Sequence, residues 1–83
     1  MMTDRHDDVT PATPVIDSLA NCMAVQWPYA DDGGPVVLLG EEGVYIDAGR
    51  RPTSNELDAL AEELRRGGHD TLVEVLATWR VTA

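Results

Sequence analysis

Leu57, Leu60, Ala61 and Leu64 recur at i, i+3, i+4 and i+7, the spacing of one helical face, and predict a helix over residues 53–66. Thr53 followed by Glu56 fits a capping box, in which the hydroxyl accepts an orphan N–H and the carboxylate reaches back to the cap. Glu56 and Asp58 fall in the first turn and Arg65 and Arg66 in the last, as the helix dipole prefers. Gly67 or Gly68 can adopt the left-handed conformation that ends a helix.

The same reading extends along the chain. Thr13-Pro14 looks like a helix start, and Ile16, Leu19, Ala20, Met23 and Trp27 keep helical spacing, so a helix is expected over residues 14–25. A rival reading makes Cys22 to Trp27 a strand with Met23, Val25 and Trp27 on one face; Pro28 ends either element. Residues 28–35 form a loop on composition. Val36-Val37-Leu38-Leu39 and Val44-Tyr45-Ile46-Asp47, flanking Gly40-Glu41-Glu42-Gly43, predict a β-hairpin with Val44 and Ile46 inward and Tyr45 and Asp47 outward. Asp70 suits the cap of a last helix over residues 71–80, with Leu72, Val75, Leu76 and Trp79 as its apolar face. As a strand, the same stretch would align Val73, Val75, Ala77, Trp79 and Val81. The expected fold is therefore a small α+β domain over residues 13–83: N-terminal helix, β-hairpin, then a two-helix hairpin. Residues 1–12, polar, acidic and interrupted by Pro11, read as a flexible acidic tail.

At 83 residues the chain holds one domain, which buries only about 60–65% of its unfolded surface. The single cysteine, Cys22, rules out an internal disulfide, so association with a partner or a second copy is a natural source of further stability. No apolar run reaches the length of a membrane span, and the acidic N-terminus lacks a signal-peptide core, which together imply a cytoplasmic setting. Arginine is the sole basic residue type besides histidine, and lysine and phenylalanine are missing, a bias expected of a high-GC bacterium or its phage.

Charge separates the two halves. Net charge is −9; residues 1–49 carry nine acidic groups and one arginine, whereas residues 50–83 carry six acidic groups and five arginines. The first half repels nucleic acid and anionic lipid and attracts a basic protein surface.

Candidate chemistry is sparse. His6, Cys22 and His69 lack the spacing of a metal site, and Asp31-Asp32 and Glu41-Glu42 do not follow a calcium-loop pattern, so no metal or cofactor is expected. Ser18, Ser54 and Cys22 have no adjacent base, and the glycines fit no phosphate-binding motif. Trp27-Pro28-Tyr29, beside Asp31 and Asp32, offers an aromatic anchor for a partner, although Trp27 could equally cover the core. The expectation is a non-enzymatic protein-binding module, a regulator, inhibitor or small subunit. It would use Trp27, Tyr29, Asp31, Asp32, Glu41 and Glu42 against a basic partner, in its sharper form as a nucleic-acid mimic. The first alternative is a helix-turn-helix DNA-binding regulator using Arg50, Arg51, Arg65, Arg66 and Arg80. The second is an oligomeric structural component whose apolar helix faces meet across a symmetry axis.

Overall fold

The computed structural model describes residues 10–82. The chain runs β1 (Val15–Ser18), β2 (Met23–Gln26), β3 (Val36–Gly40), β4 (Gly43–Ala48), α1 (Ser54–Arg66) and α2 (Asp70–Thr82). The four strands form one antiparallel sheet in the order β1-β2-β3-β4, and the two helices follow as a hairpin.

This corrects the expected architecture. The protein remains α+β, but there is no N-terminal helix over residues 14–25. Those residues form β1 and β2, joined by a turn that Leu19 N–H closes on the Cys22 carbonyl at 2.8 Å. Helical spacing in this stretch competes with two short period-2 patterns, and tertiary pairing decides between them. A helix ending near residue 25 would leave Val25 and Trp27 at its margin, whereas β2 places both in the core at 0% exposure. Thr13 is not a helix cap either: its N–H bonds the Thr10 carbonyl, and its Oγ1 accepts the Thr10 N–H at 2.8 Å. Pro14 then precedes an edge strand, where proline is tolerated. Residues 1–9 of the expected tail lie outside the described residues.

The pairing register sorts the side chains into two faces. Ile16, Val25, Val37 and Ile46 lie across the strands in one row, and Met23, Leu39 and Val44 in the next. These rows face the helices, which contribute Leu57, Leu60, Leu64 and Leu76 to the same core. The opposite face carries the rows Asp17–Ala24–Leu38–Tyr45 and Val15–Gln26–Val36–Ala48. The expected hairpin forms with Val44 and Ile46 inward and Tyr45 and Asp47 exposed, and its loop is the two-residue Glu41-Glu42 between paired Gly40 and Gly43. A register shift beside Val36 leaves Asp47 without a strand partner.

Both helices after the sheet form as expected. At α1 the capping box is complete: Glu56 N–H donates to Thr53 Oγ1 at 3.1 Å, and Thr53 N–H donates to Glu56 Oε1 at 2.8 Å. At the other end His69 N–H bonds the Leu64 carbonyl and Gly68 N–H the Arg65 carbonyl, with Gly68 at φ +79°. Helix α2 begins one residue earlier than expected, with Val73 N–H reaching the His69 carbonyl. It lies over β3 and β4 and alongside α1. Leu72, Val75 and Trp79 are half-buried around the buried Leu76, while Val81 on another side is 85% exposed.

Candidate docking surface

The loop between β2 and β3 is fixed by two local devices and one long-range hub. Ala30 N–H bonds the Trp27 carbonyl and Gly33 N–H the Ala30 carbonyl, giving successive turns. Asp32 Oδ1 accepts the Gly34 N–H at 2.9 Å. Gly34 has φ +74°, and a Cβ there would lie 2.1 Å from the Trp27 carbonyl oxygen, so only glycine lets the chain fold back over Trp27. The hub is Arg50. Its Nε donates to Asp32 Oδ2 at 2.7 Å, and its Nη1 and Nη2 donate to Glu56 Oε1 and Oε2 at 2.8 and 2.9 Å.

Glu56 thereby has three roles, closing the cap of α1, pairing with Arg50, and linking the β2–β3 loop to the helix layer. It is 4% exposed, the one buried charged side chain among the described residues. Hydrogen bonds from Arg50 hold its pKa below the usual glutamate range against the opposing effect of burial, with Thr53 N–H assisting. Arg50 first and the Gly34 N–H second lower the pKa of Asp32 as well. The hydrogen bonds to both carboxylates raise the pKa of Arg50. Sequence reasoning found Glu56 as a cap but missed this hub, because Asp32 and Arg50 are 18 positions apart and nothing local pairs them.

The residues expected to form the docking site fall in three places. Trp27 is fully buried, so it covers the core and cannot be an exposed anchor; its indole N–H has no hydrogen-bond partner among the described residues. Tyr29, 49% exposed, and Asp31 stay at the surface of the β2–β3 loop, while Asp32 is engaged by Arg50. Glu41 and Glu42 are exposed at the β3–β4 turn, the opposite end of β3 from that loop.

What connects these places is the outer face of the sheet, which sequence reasoning had not singled out. Leu38 is paired to Tyr45, which is 65% exposed, with Ala24 and Asp17 completing the row. Alternation along β4 marks Tyr45 as outward; what it could not give is the partner row across three other strands. At the β3–β4 end this face runs into an open cleft of about 970 Å³ bounded by the 19–22 turn, the 41–42 turn and the start of α2. Leu38 and Tyr45 line it together with Glu41, Glu42, His69 and Asp70, and no lysine or arginine does. Between residues 10 and 49 there are six carboxylates and no basic side chain but Arg50 next in sequence, which engages Asp32. Asp17, Asp31, Glu41, Glu42 and Asp47 form no ion pair among the described residues.

The five arginines of the helix-turn-helix alternative are not gathered into one free patch. Arg50 is the hub, and Arg51 stacks over the Trp79 ring with its Cζ 4.0 Å from the centroid. Arg65 pairs with Glu62, Arg66 with Glu63 and Arg80 with Asp58. Cys22, half-buried, and exposed His69 both line the cleft, but among the described residues no three His, Cys, Asp or Glu side chains are grouped to hold a metal ion.

No family model matches the chain, and no curated protein or solved structure was found similar to it.

Proposed function

We propose that this protein is a non-enzymatic binding module that docks on the basic surface of a partner protein through the outer face of its sheet and the adjoining acidic cleft. The observation that carries this reading is the Tyr45 ring, 65% exposed beside the half-buried Leu38, set among carboxylates that have no cation of their own. Apolar area supplies affinity at the centre of an interface, and a ring of one charge sign supplies orientation and partner choice. Tyr45 takes the anchoring role first sought in Trp27, because it is exposed and sits on a rigid strand. Glu41 and Glu42 on one side and Asp17 and Asp47 on the other are placed to meet arginine or lysine side chains of the partner. In the sharper form of the proposal the partner surface is a nucleic-acid-binding groove, with these carboxylates standing in for phosphates.

The test is affinity capture on the immobilised chain, with wild type compared against Tyr45→Ala and against Glu41→Gln/Glu42→Gln at low and high salt. The reading expects a basic protein that is captured by wild type and released by salt. Tyr45→Ala should weaken capture by about 30-fold, the loss typical of an aromatic anchor. Capture that is indifferent to both variants removes the sheet face from the reading. Competition by duplex DNA for the captured partner supports mimicry; simultaneous binding of DNA and this chain refutes it.

A further inference from the structure

We infer that the outer edge of β4 is a strand-addition site: the basic partner lays an extended segment along it as a fifth strand, one that alternates arginine or lysine with β-branched apolar residues. This rests on the reading that the partner surface is basic, and adds how the partner's backbone is held. β4 is the longest strand and ends the sheet, with β3 on one side and no strand on the other. Alternate residues of an edge strand turn their N–H and C=O groups outward. Outside the sheet ladder, no residue of Gly43–Ala48 takes part in a backbone hydrogen bond to a loop, turn or helix among the described residues. The chain leaves β4 at Gly49, φ +80°, where a Cβ would lie 3.2 Å from Pro35 Cα, so it turns back toward the start of β3 and does not run along the edge. Val44 and Ile46, turned to the inner face, are half-buried, whereas Val37 and Leu39, paired to them from β3, are at 0% exposure. A neighbouring strand would cover the area that the edge leaves open on this pair.

Edges are ordinarily blunted by shortness, proline, lysine or a bulge. The other edge, β1, has four residues and is entered through Pro14. β4 has neither proline nor lysine, and from Gly43 to Ile46 its register with β3 is regular, the shift lying beside Val36 at the far end. Charge identifies the occupant. Glu41 and Glu42 lie at the start of this edge and Asp47 near its end, all exposed and none in an ion pair among the described residues. Tyr45 stands between them on the outer face. A fifth strand would set its outer-face side chains beside Tyr45 and Asp47 and its inner-face side chains beside Val44 and Ile46. Arginine or lysine suits the first set, pairing with the carboxylates and stacking on the ring. Valine or isoleucine suits the second, continuing the apolar rows across the sheet. A second copy lacks this match. Antiparallel pairing of β4 with β4 about its centre brings Asp47 of each copy beside the Glu41-Glu42 turn of the other, like charge against like.

The test adds to the full chain a capped peptide of about eight residues that alternates arginine and valine, with binding followed by fluorescence anisotropy. Two analogues are N-methylated, one on the arginines alone and one on the valines alone. A bound strand turns every second N–H to its neighbour, so one analogue should bind about as well as the parent peptide. The other should bind on the order of 100-fold more weakly, having lost several backbone hydrogen bonds. In amide exchange followed by NMR, the parent peptide should slow alternate β4 amides by about tenfold or more and leave those of β1 unchanged. Equal affinities of the two analogues, or protection at β1 in place of β4, overturn the inference. The sheet-face reading survives that result if Tyr45→Ala still weakens binding of the peptide. Failure of all three peptides to bind also overturns strand addition, and the sheet-face reading then stands or falls on its own capture experiment. Sedimentation equilibrium on the chain alone tests the other occupant: a mass of twice 9.0 kDa that the peptide reduces assigns the edge to a second copy and overturns the inference.

Discussion

Replacing Glu56 tests whether the acidic loop is tied to the helix layer as its geometry implies. Glu56→Ala removes both hydrogen bonds from the Arg50 guanidinium and the one from Thr53 N–H. Hydrogen bonds to charged groups contribute about 1.5–3 kcal/mol net, and the lower end applies to the Glu56 side here. Its partner is 36% exposed and keeps Asp32, so water can replace what the guanidinium loses. Losing the reciprocal half of the capping box adds about 1 kcal/mol. The total, roughly 2–3 kcal/mol, corresponds to a fall in Tm of about 10–20 °C for a domain of this size. Glu56→Gln keeps an acceptor for Thr53 N–H and removes only the charge, so about half of that loss is expected. The pH dependence follows from the direction of the shift. The folded-state pKa of Glu56 lies below its unfolded value, so the carboxylate's contribution is complete above about pH 4.3, the unfolded value, and is lost as pH falls through the folded pKa. Urea titrations of wild type and Glu56→Gln between about pH 7 and pH 2 should therefore converge toward the acid end. Two variants within about 0.5 kcal/mol of wild type, the range of ordinary surface substitutions, would refute the hub. So would a gap between wild type and Glu56→Gln that does not narrow with acid.

Neighbouring glycines should separate sharply in thermal melts. Gly33→Ala carries only the left-handed backbone cost of about 1–2 kcal/mol, because nothing lies within 4 Å of the new Cβ; Gly34→Ala should fail to fold or lose far more stability, its Cβ falling on the Trp27 carbonyl oxygen. A Gly34→Ala melt equal to that of Gly33→Ala would show that the loop does not pass over Trp27 in this way. Trp27→Ala should cost about 3–5 kcal/mol as a large core truncation, whereas Trp27→Phe should cost about 1 kcal/mol, since it also removes a buried N–H that has no partner. Equal urea midpoints for the two variants would refute the reading that Trp27 contributes through the volume of its ring in the core.

The parts of this fold that could be read from sequence are those set by neighbours within a turn or two. Thr53 and Glu56 are three apart, the leucines of α1 repeat every three or four residues, and Gly40 and Gly43 bracket their own hairpin. The misread segment is different in kind. Ile16, Leu19, Met23 and Trp27 satisfy helical spacing, but their fate depends on pairing Val25 with Val37 and Ile16 with Val25 across turns of unlike length. A four-residue strand contains too few positions for alternation to outweigh a helical pattern over the twelve residues from Ile16 to Trp27. The same limit governed the candidate site. Tyr29, Asp31, Glu41 and Glu42 were legible as exposed polar turns, while the burial of Trp27 depends on a chain reversal at Gly34, seven residues on. Leu38 could be recognised as part of an apolar strand, but that it faces outward beside Tyr45 follows only from the register.

The distribution of charge sets the two layers apart. All the arginines among the described residues lie at or after position 50, and each is held by a carboxylate or by Trp79, so the helix layer presents little net field. The sheet layer keeps most of its carboxylates unpaired, and its field extends about one Debye length, ~8 Å at physiological salt, before it is screened. On the reading proposed above, a basic partner would be steered to the sheet and not to the helix layer.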